Sequence, residues 1–126
     1  MATRSHETLV VPGYGADVSV IRWAGLLQGD DGGWITVPAH TDIVFHAFGT
    51  PGANPGISLD GSNEVVTPTS AIILNDSRGS GNAVTLTAAG IRQVLEAPVQ
   101  VRPRVTGASD GTTTWTVICK FVRRSS

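Results

Sequence analysis

The stretch from Asn82 to Arg124 constrains the fold more than any other: NAVTLTAAGIRQVLEAPVQVRPRVTGASDGTTTWTVICKFVRR. Two parts of it alternate with a period of two. Val99, Val101 and Val105 fall on one side of an extended chain, and Gln100, Arg102, Arg104 and Thr106 on the other. From Thr113 to Arg123, Trp115, Val117, Cys119 and Phe121 line one face, opposite Thr114, Thr116, Ile118, Lys120 and Val122. Asp110-Gly111 between the two runs is a hairpin signal. Pro103 cannot donate to a sheet ladder, so its strand is expected at an edge or at a bulge.

The rest of the chain repeats this grammar. VSVIRWAGLL, from Val18 to Leu27, carries apolar residues on both faces: Val18, Val20, Ala24 and Leu26 on one, Ile21, Trp23 and Leu27 on the other. Such a strand meets a core on one side and a second surface on the other. Trp34 to Val37 is a short strand stopped by Pro38. Thr41 to Phe48 sets Ile43, Phe45 and Ala47 against Asp42, Val44, His46 and Phe48. Ile57-Ser58-Leu59 is a short strand closed by Asp60-Gly61-Ser62-Asn63. One or two short strands are expected between Val65 and Asn75 around Pro68. Ala83 to Thr87 is a strand with Val84 and Leu86 inward, and Ile91 to Ala97 is either a strand or a helical turn. GTPGANPG and DSRGSG are loops by composition. About eight to ten short strands, with turns every 8–12 residues, predict a single-domain antiparallel β-sandwich or jelly roll over residues 18–124. Residues 1–17 form no clear element. They read either as a frayed terminus or as an arm whose Leu9, Val10, Val11 and Tyr14 dock on a neighbour.

A chain of 126 residues suits one domain. Charged residues make up only 15%, below the ~25% usual for globular domains. So few charges suggest that part of the surface is covered by another protein. The net charge of −1 provides no general attraction to nucleic acid or membrane. Arg102 and Arg104, with Arg123 and Arg124 nearby, read as a solvated face or as ion-pair partners for an acidic protein surface. The single cysteine, Cys119, excludes an intrachain disulfide and sits in a strand pattern, where a thiol packs as a small apolar group. The start, MATRSHETLVVPGYG, lacks the apolar stretch of a signal peptide, and no segment approaches the ~18 apolar residues of a membrane span. Synthesis in a cytoplasm is therefore expected.

Chemistry-bearing patterns are sparse. His40, Asp42 and His46 share a strand face but spread over ~20 Å, too far to converge on a metal. Asp30-Asp31 and Asp60 to Glu64 lack the spaced carboxylates of a calcium loop and read as turns whose Asp or Asn caps its own backbone. DSRGSGN lacks the Lys-Ser/Thr ending of a phosphate-binding loop, and there is no G-x-S-x-G elbow. No acid/base carboxylate pair stands out. No catalytic residue, cofactor or metal is expected. Trp23, Trp34 and Trp115 invite a sugar-stacking reading. Packing is the more common use of tryptophan, and Trp23 is the best surface candidate of the three.

Three segments carry a resemblance: IRWAGLLQGDDGGWITVPAHTDIVFHAFG, then ISLDGSNE, then the run from Asn82 to Arg124. Together they resemble small structural proteins of tailed bacteriophages encoded near capsid genes. Those proteins show an "EGSN" strand end, an "ALTFTAAGI" segment and "VRPRVTGGDGTTSLTV" close to the C terminus. The likeness spans roughly residues 18–124. Asp60 stands where Glu is usual, the GTPGANPG loop is longer, and the N-terminal arm is not covered. The resemblance implies a capsid decoration, or cement, protein: a small β-sandwich bound to the major capsid protein on the outside of the head lattice. It also implies a small homo-oligomer, a dimer or trimer, with no direct contact to nucleic acid or membrane. Interface candidates are Leu9, Val10, Val11, Tyr14, Trp23, Arg102 and Arg104. A tail, neck or fibre subunit is the alternative within the virion. A carbohydrate-binding attachment module is the alternative outside that class.

Overall fold

Runs of alternating residues give extended segments that each bury one side, and two layers of them must meet to close a core. The computed structural model has this all-β architecture. It describes residues 3–9, 17–27, 29–50, 55–78, 82–106 and 114–123. In chain order the strands are β1 (Thr3–Arg4), β2 (Glu7–Leu9), β3 (Val18–Leu26), β4 (Asp31–Gly32), β5 (Ile35–Thr36), β6 (Thr41–Thr50), β7 (Ile57–Ser62), β8 (Ile72–Ile73), β9 (Thr85–Leu86), β10 (Gly90–Val94), β11 (Gln100–Val105) and β12 (Thr114–Arg123). Sheet A runs β1-β4-β11-β7-β8, with β5 also on β11 and β9 also on β7. Sheet B runs β10-β6-β12-β3-β2. Pairing among the described strands is antiparallel except between β1 and β4.

The core lies between the sheets. Sheet B contributes Trp23, Leu26, Ile43, Phe45, Ala47, Trp115, Val117, Cys119 and Phe121. Sheet A answers with Ile35, Ile57, Leu59, Leu86, Val101 and Val105. The alternation read from β6, β11 and β12 is the pattern observed. Cys119 is fully buried, and that burial pushes its thiol well above the ordinary range.

Strand β3 departs from simple alternation. Leu26 pairs with Trp115 and Trp23 with Val117, so three steps on β3 match two on β12. This β-bulge contains Gly25 at φ 70°, a conformation open to glycine at little cost. It puts Trp23 and Leu26 on the same, inner side. The expected split of the two between opposite faces is therefore corrected, and Trp23, expected at the surface, is fully buried. Its indole nitrogen donates to the Gly33 carbonyl at 3.1 Å.

Pro103 does not mark an edge. Strand β11 pairs with β7 along one side and with β4 and β5 along the other. The Val105 nitrogen donates to the Asp30 carbonyl on the β4 side. By the two-residue alternation Pro103 turns its nitrogen the same way, into the break between β4 and β5. A central strand accepts proline here because no ladder partner stands opposite. Gly32 is part of the same fit: a Cβ there would lie 2.6 Å from two ring carbons of Pro103 and from Cδ1 of Trp23.

Three other expectations change. Residues 3–9 are not without structure, since β1 joins sheet A and β2 joins sheet B. Strand β7 does not stop at Leu59 but continues through Asp60 and Gly61 to Ser62. Of the one or two strands expected between Val65 and Asn75, β8 is present at Ile72–Ile73, while Val65 and Val66 lie in the loop between Asn63 and Ala71. Residues 90–94 form a strand rather than a helical turn. The expected hairpin turn at Asp110-Gly111 lies outside the described residues.

Candidate interaction site

Of the residues expected at a partner interface, Leu9 is half-buried in β2, opposite Val20. Val10, Val11 and Tyr14 lie outside the described residues. Arg102 and Arg104 do face outward from sheet A, but they serve the fold. Asp60, on the same side of β7, has no exposed surface. Its carboxylate accepts from Arg104 Nε at 2.8 Å and lies 3.5 Å from Arg102 Nε. Arg102 Nη1 reaches Asp31 at 3.0 Å, and its guanidinium lies 4.7 Å from the Trp34 ring centroid. Arg4 pairs with buried Asp30 at 2.9 Å. Arg4, Arg102 and Arg104 thus meet Asp30, Asp31 and Asp60 within the molecule, and the outer face of sheet A neutralises itself. A buried carboxylate needs such partners.

The three most exposed large apolar side chains among the described residues lie elsewhere, at the β8 edge of sheet A. Val65 and Val66 are 82% and 70% exposed, and Ile72 is 65% exposed. An exposed valine is ordinary. Two side by side on a pinned loop are not. The Glu64 carboxylate accepts from the Thr69 nitrogen at 2.8 Å, the Thr69 hydroxyl at 2.7 Å, the Ser70 nitrogen at 3.1 Å and the Ser62 hydroxyl at 3.1 Å. Gln100 Nε2 donates to the carbonyls of Glu64 and Val66, both at 2.8 Å. Asn63 Oδ1 accepts from the Val99 nitrogen at 3.1 Å. The hydrogen bonds from Thr69 and Ser70 hold the Glu64 carboxyl below its usual range.

Beside this loop runs an open groove of about 360 Å³. Ile72, Ile73 and Leu74 form one wall and Ala97 and Pro98 the other. Gly61 lets the walls close, because a Cβ there would lie 2.6 Å from Leu74 Cδ2 and Pro98 Cγ. Glu96 ties the walls together by accepting from the Asn75 nitrogen at 2.8 Å and from Asn75 Nδ2 at 2.7 Å. Burial raises the Glu96 carboxyl, but these hydrogen bonds outweigh it and the net shift is downward. The edge is therefore an apolar ridge and groove held in one shape by hydrogen bonds, which lowers the entropy that binding must overcome. The dipeptide Val65-Val66 was visible in the sequence as β-branched and strand-like. The hydrogen bonds that turn it into a loop come from the Glu64 carboxylate, which accepts from Thr69 and Ser70, and from Gln100 Nε2, which donates from thirty-six residues beyond Glu64.

A second opening, of about 410 Å³, lies between β2 and β5. His6, Thr8 and Thr36 line it with Ile21, Trp34 and Phe121. His40, Asp42 and His46 do not converge: His40 occupies the turn before β6 at φ 58°, and the His46 ring lies tilted against Phe48, 4.9 Å between ring centroids. Among the described residues no three His, Cys, Asp or Glu side chains are placed to hold a metal. Among the same residues no helix is long and apolar enough to cross a membrane.

No family model matches the chain, and no curated protein matches it. Solved structures with a similar course include the K1 cleaved adhesin domain of Lys-gingipain from Porphyromonas gingivalis W83. That likeness has a TM-score of 0.41 and 11% identity, over 95% of this chain and 73% of the other. The K3 cleaved adhesin domain of the same protein is similar at a TM-score of 0.36 and 11% identity, over 94% of this chain and 72% of the other.

Proposed function

We propose that this chain is a phage capsid decoration protein that docks on the major capsid protein through the apolar edge of sheet A and acts as a clip rather than an enzyme. The observation that carries the reading is the pinned Val65-Val66 loop beside the Ile72–Pro98 groove. Arg102 and Arg104, the charged candidates for an interface, already have internal partners, so contact through this edge is driven by apolar burial rather than by charge. Burying the two valines would contribute on the order of 2–4 kcal/mol. A contact that small is useful when it is repeated over a lattice and linked to a second point of attachment. The likeness of residues 18–124 to small tailed-phage structural proteins supports the same role, at the outside of the head lattice. A tail, neck or fibre position would use the same edge.

The test is co-sedimentation of the full chain with expanded capsids. The wild type is expected to saturate the shell, and Val65→Asp with Val66→Asp to bind roughly 100-fold more weakly. Binding of the double variant at wild-type strength would remove the edge from the interface.

The cleft between β2 and β5 favours a second reading, a carbohydrate-binding module, because Thr8 and Thr36 line it together with Trp34. With Trp23 buried, the residue to test is Trp34. Glycan binding lost on Trp34→Ala would support it, and a glycan array without hits would remove it.

A further inference from the structure

Residues 3–9 strap the two sheets together along one side of the sandwich. β1 is the last strand of sheet A and β2 the last strand of sheet B, and Ser5-His6 carries the chain from one to the other. The strap is polar: TRSHETL has one apolar residue, Leu9. None of its residues is buried, only Arg4 and Leu9 are half-buried, and none joins the core cluster. Polar contacts hold it instead. On sheet A, the Gly33 nitrogen donates to the Arg4 carbonyl at 2.8 Å, the Thr3 hydroxyl donates to Asp31 at 2.9 Å, and Arg4 pairs with Asp30. On sheet B, β2 pairs with β3, and Glu7 pairs with Arg22 at 2.7 Å. The His6 ring lies tilted against Trp23, 6.3 Å between ring centroids. Apolar burial is the main term that holds a segment in place. A segment that buries so little belongs to the low-stability end of a fold.

The rest of the sandwich stands without the strap. β3 keeps its ladder to β12, and β4 keeps its pairing with β11, where the Val105 nitrogen donates to the Asp30 carbonyl. The turn between β3 and β4 has bonds of its own. The Asp30 carboxylate accepts from the Leu27 nitrogen at 2.9 Å, and the Asp30 nitrogen donates to the Leu27 carbonyl at 3.0 Å. Buried Asp30 therefore retains a partner when Arg4 leaves. We infer that residues 3–9 are a latch that detaches from both sheets as one unit while the sandwich stays folded, with Arg4–Asp30 as its lock. Glu7–Arg22 joins two exposed side chains and contributes little. The Asp30 side chain is only 4% exposed, so salt and water screen its pair with Arg4 less. Opening removes the wall that His6 and Thr8 give the cleft between β2 and β5 and bares the outer edges of β3 and β4. The latch thus sets how large a ligand that cleft admits.

Latch opening is independent of the capsid reading, because it needs only the purified chain. Amide hydrogen exchange of the full-length protein, followed residue by residue by NMR, tests it. Gly33 and the β2 amides bonded to β3 are expected to exchange together, more slowly than in an unfolded chain but about 100-fold or more faster than the amides of β6 and β12. Low urea should leave the latch rates nearly flat while it raises the core rates, because opening exposes little surface. Ile43→Val, in the core, should speed exchange in β6 and β12 by about 2- to 10-fold and leave the latch rates unchanged, because the opened form keeps the core. Arg4→Met should speed the latch amides by about 10- to 100-fold. Latch amides that share the rate and urea dependence of β12, or that quicken with Ile43→Val as β12 does, would mean that the strap leaves only on global unfolding and would overturn the proposal. Latch amides without protection would do the same. Wild-type latch rates in Arg4→Met would remove the lock, and the wild type with Ile43→Val carries the test of detachment should Arg4→Met not fold.

Discussion

Asp60→Asn isolates the ion-pair network of sheet A while keeping side-chain shape. Asp60 has no solvent exposure, and it lies within 2.8 Å of Arg104 Nε and 3.5 Å of Arg102 Nε. Removing its charge leaves two guanidiniums facing a neutral amide, while Arg102 keeps Asp31 at 3.0 Å. Breaking a fully buried pair costs about 3–5 kcal/mol. Here the side chains of Arg102 and Arg104 retain 21% and 37% exposure, so water screens part of the loss and about 2–3 kcal/mol is expected. At ~3–5 °C per kcal/mol for a domain of this size, the melting temperature should fall by roughly 6–15 °C. Urea denaturation followed by tryptophan fluorescence gives the free energy directly, since Trp23 and Trp115 are buried. The Arg104→Ala and double variants complete a cycle whose coupling should exceed ~1 kcal/mol. A loss below ~0.5 kcal/mol for Asp60→Asn would mean that the network behaves as an ordinary surface bridge, and the reasoning would fail.

Other consequences follow from single features. Cys119 should resist alkylation at pH 8 in the folded protein and react fully in denaturant, because burial raises its thiol; equal rates in the two states would contradict its placement. Gly32→Ala should destabilise by about 1–3 kcal/mol through overpacking against Pro103 and Trp23, and an unchanged urea midpoint would count against that fit. Glu64 and Glu96 are both held below the usual 4.5, so each contributes stability while ionised, above that value, and the contribution is lost as pH falls through the lower folded value. Capsid binding should therefore weaken as pH falls below the ordinary carboxylate range and through the lowered values of these two groups, and Glu64→Gln should weaken it already at pH 7; a variant that binds as tightly as the wild type would separate the loop's shape from its carboxylate.

The strand alternation carried much of the fold. Val101 and Val105, or Trp115 to Phe121, could be placed inward from the sequence because period two permits only one burial pattern when one face is covered. Failures came where a tertiary partner overrides that local rule. The bulge at Gly25 rotates the end of β3 by one residue, and that lone glycine was its one signal in the strand pattern. Pro103 sits in a central strand because β4 and β5 leave a break opposite it, a fact about three separate segments. Asp60-Gly61 has turn composition, yet arginines forty residues away in the chain hold Asp60 in a strand. The interface was least legible. Arg102 and Arg104 looked available because their carboxylates lie far off in sequence, whereas the exposed Val65 and Val66 looked like ordinary strand residues. Sequence spacing reports which face a residue takes and is silent on what covers that face.

The central claim is that the pinned apolar edge of sheet A is the capsid contact. Cryo-microscopy of capsids decorated with the full-length chain tests it directly. Density is expected to place the Val65-Val66 loop and the Ile72–Pro98 groove against the major capsid protein. A decorated shell in which this edge faces solvent, or a shell that the chain does not occupy at all, would contradict the account.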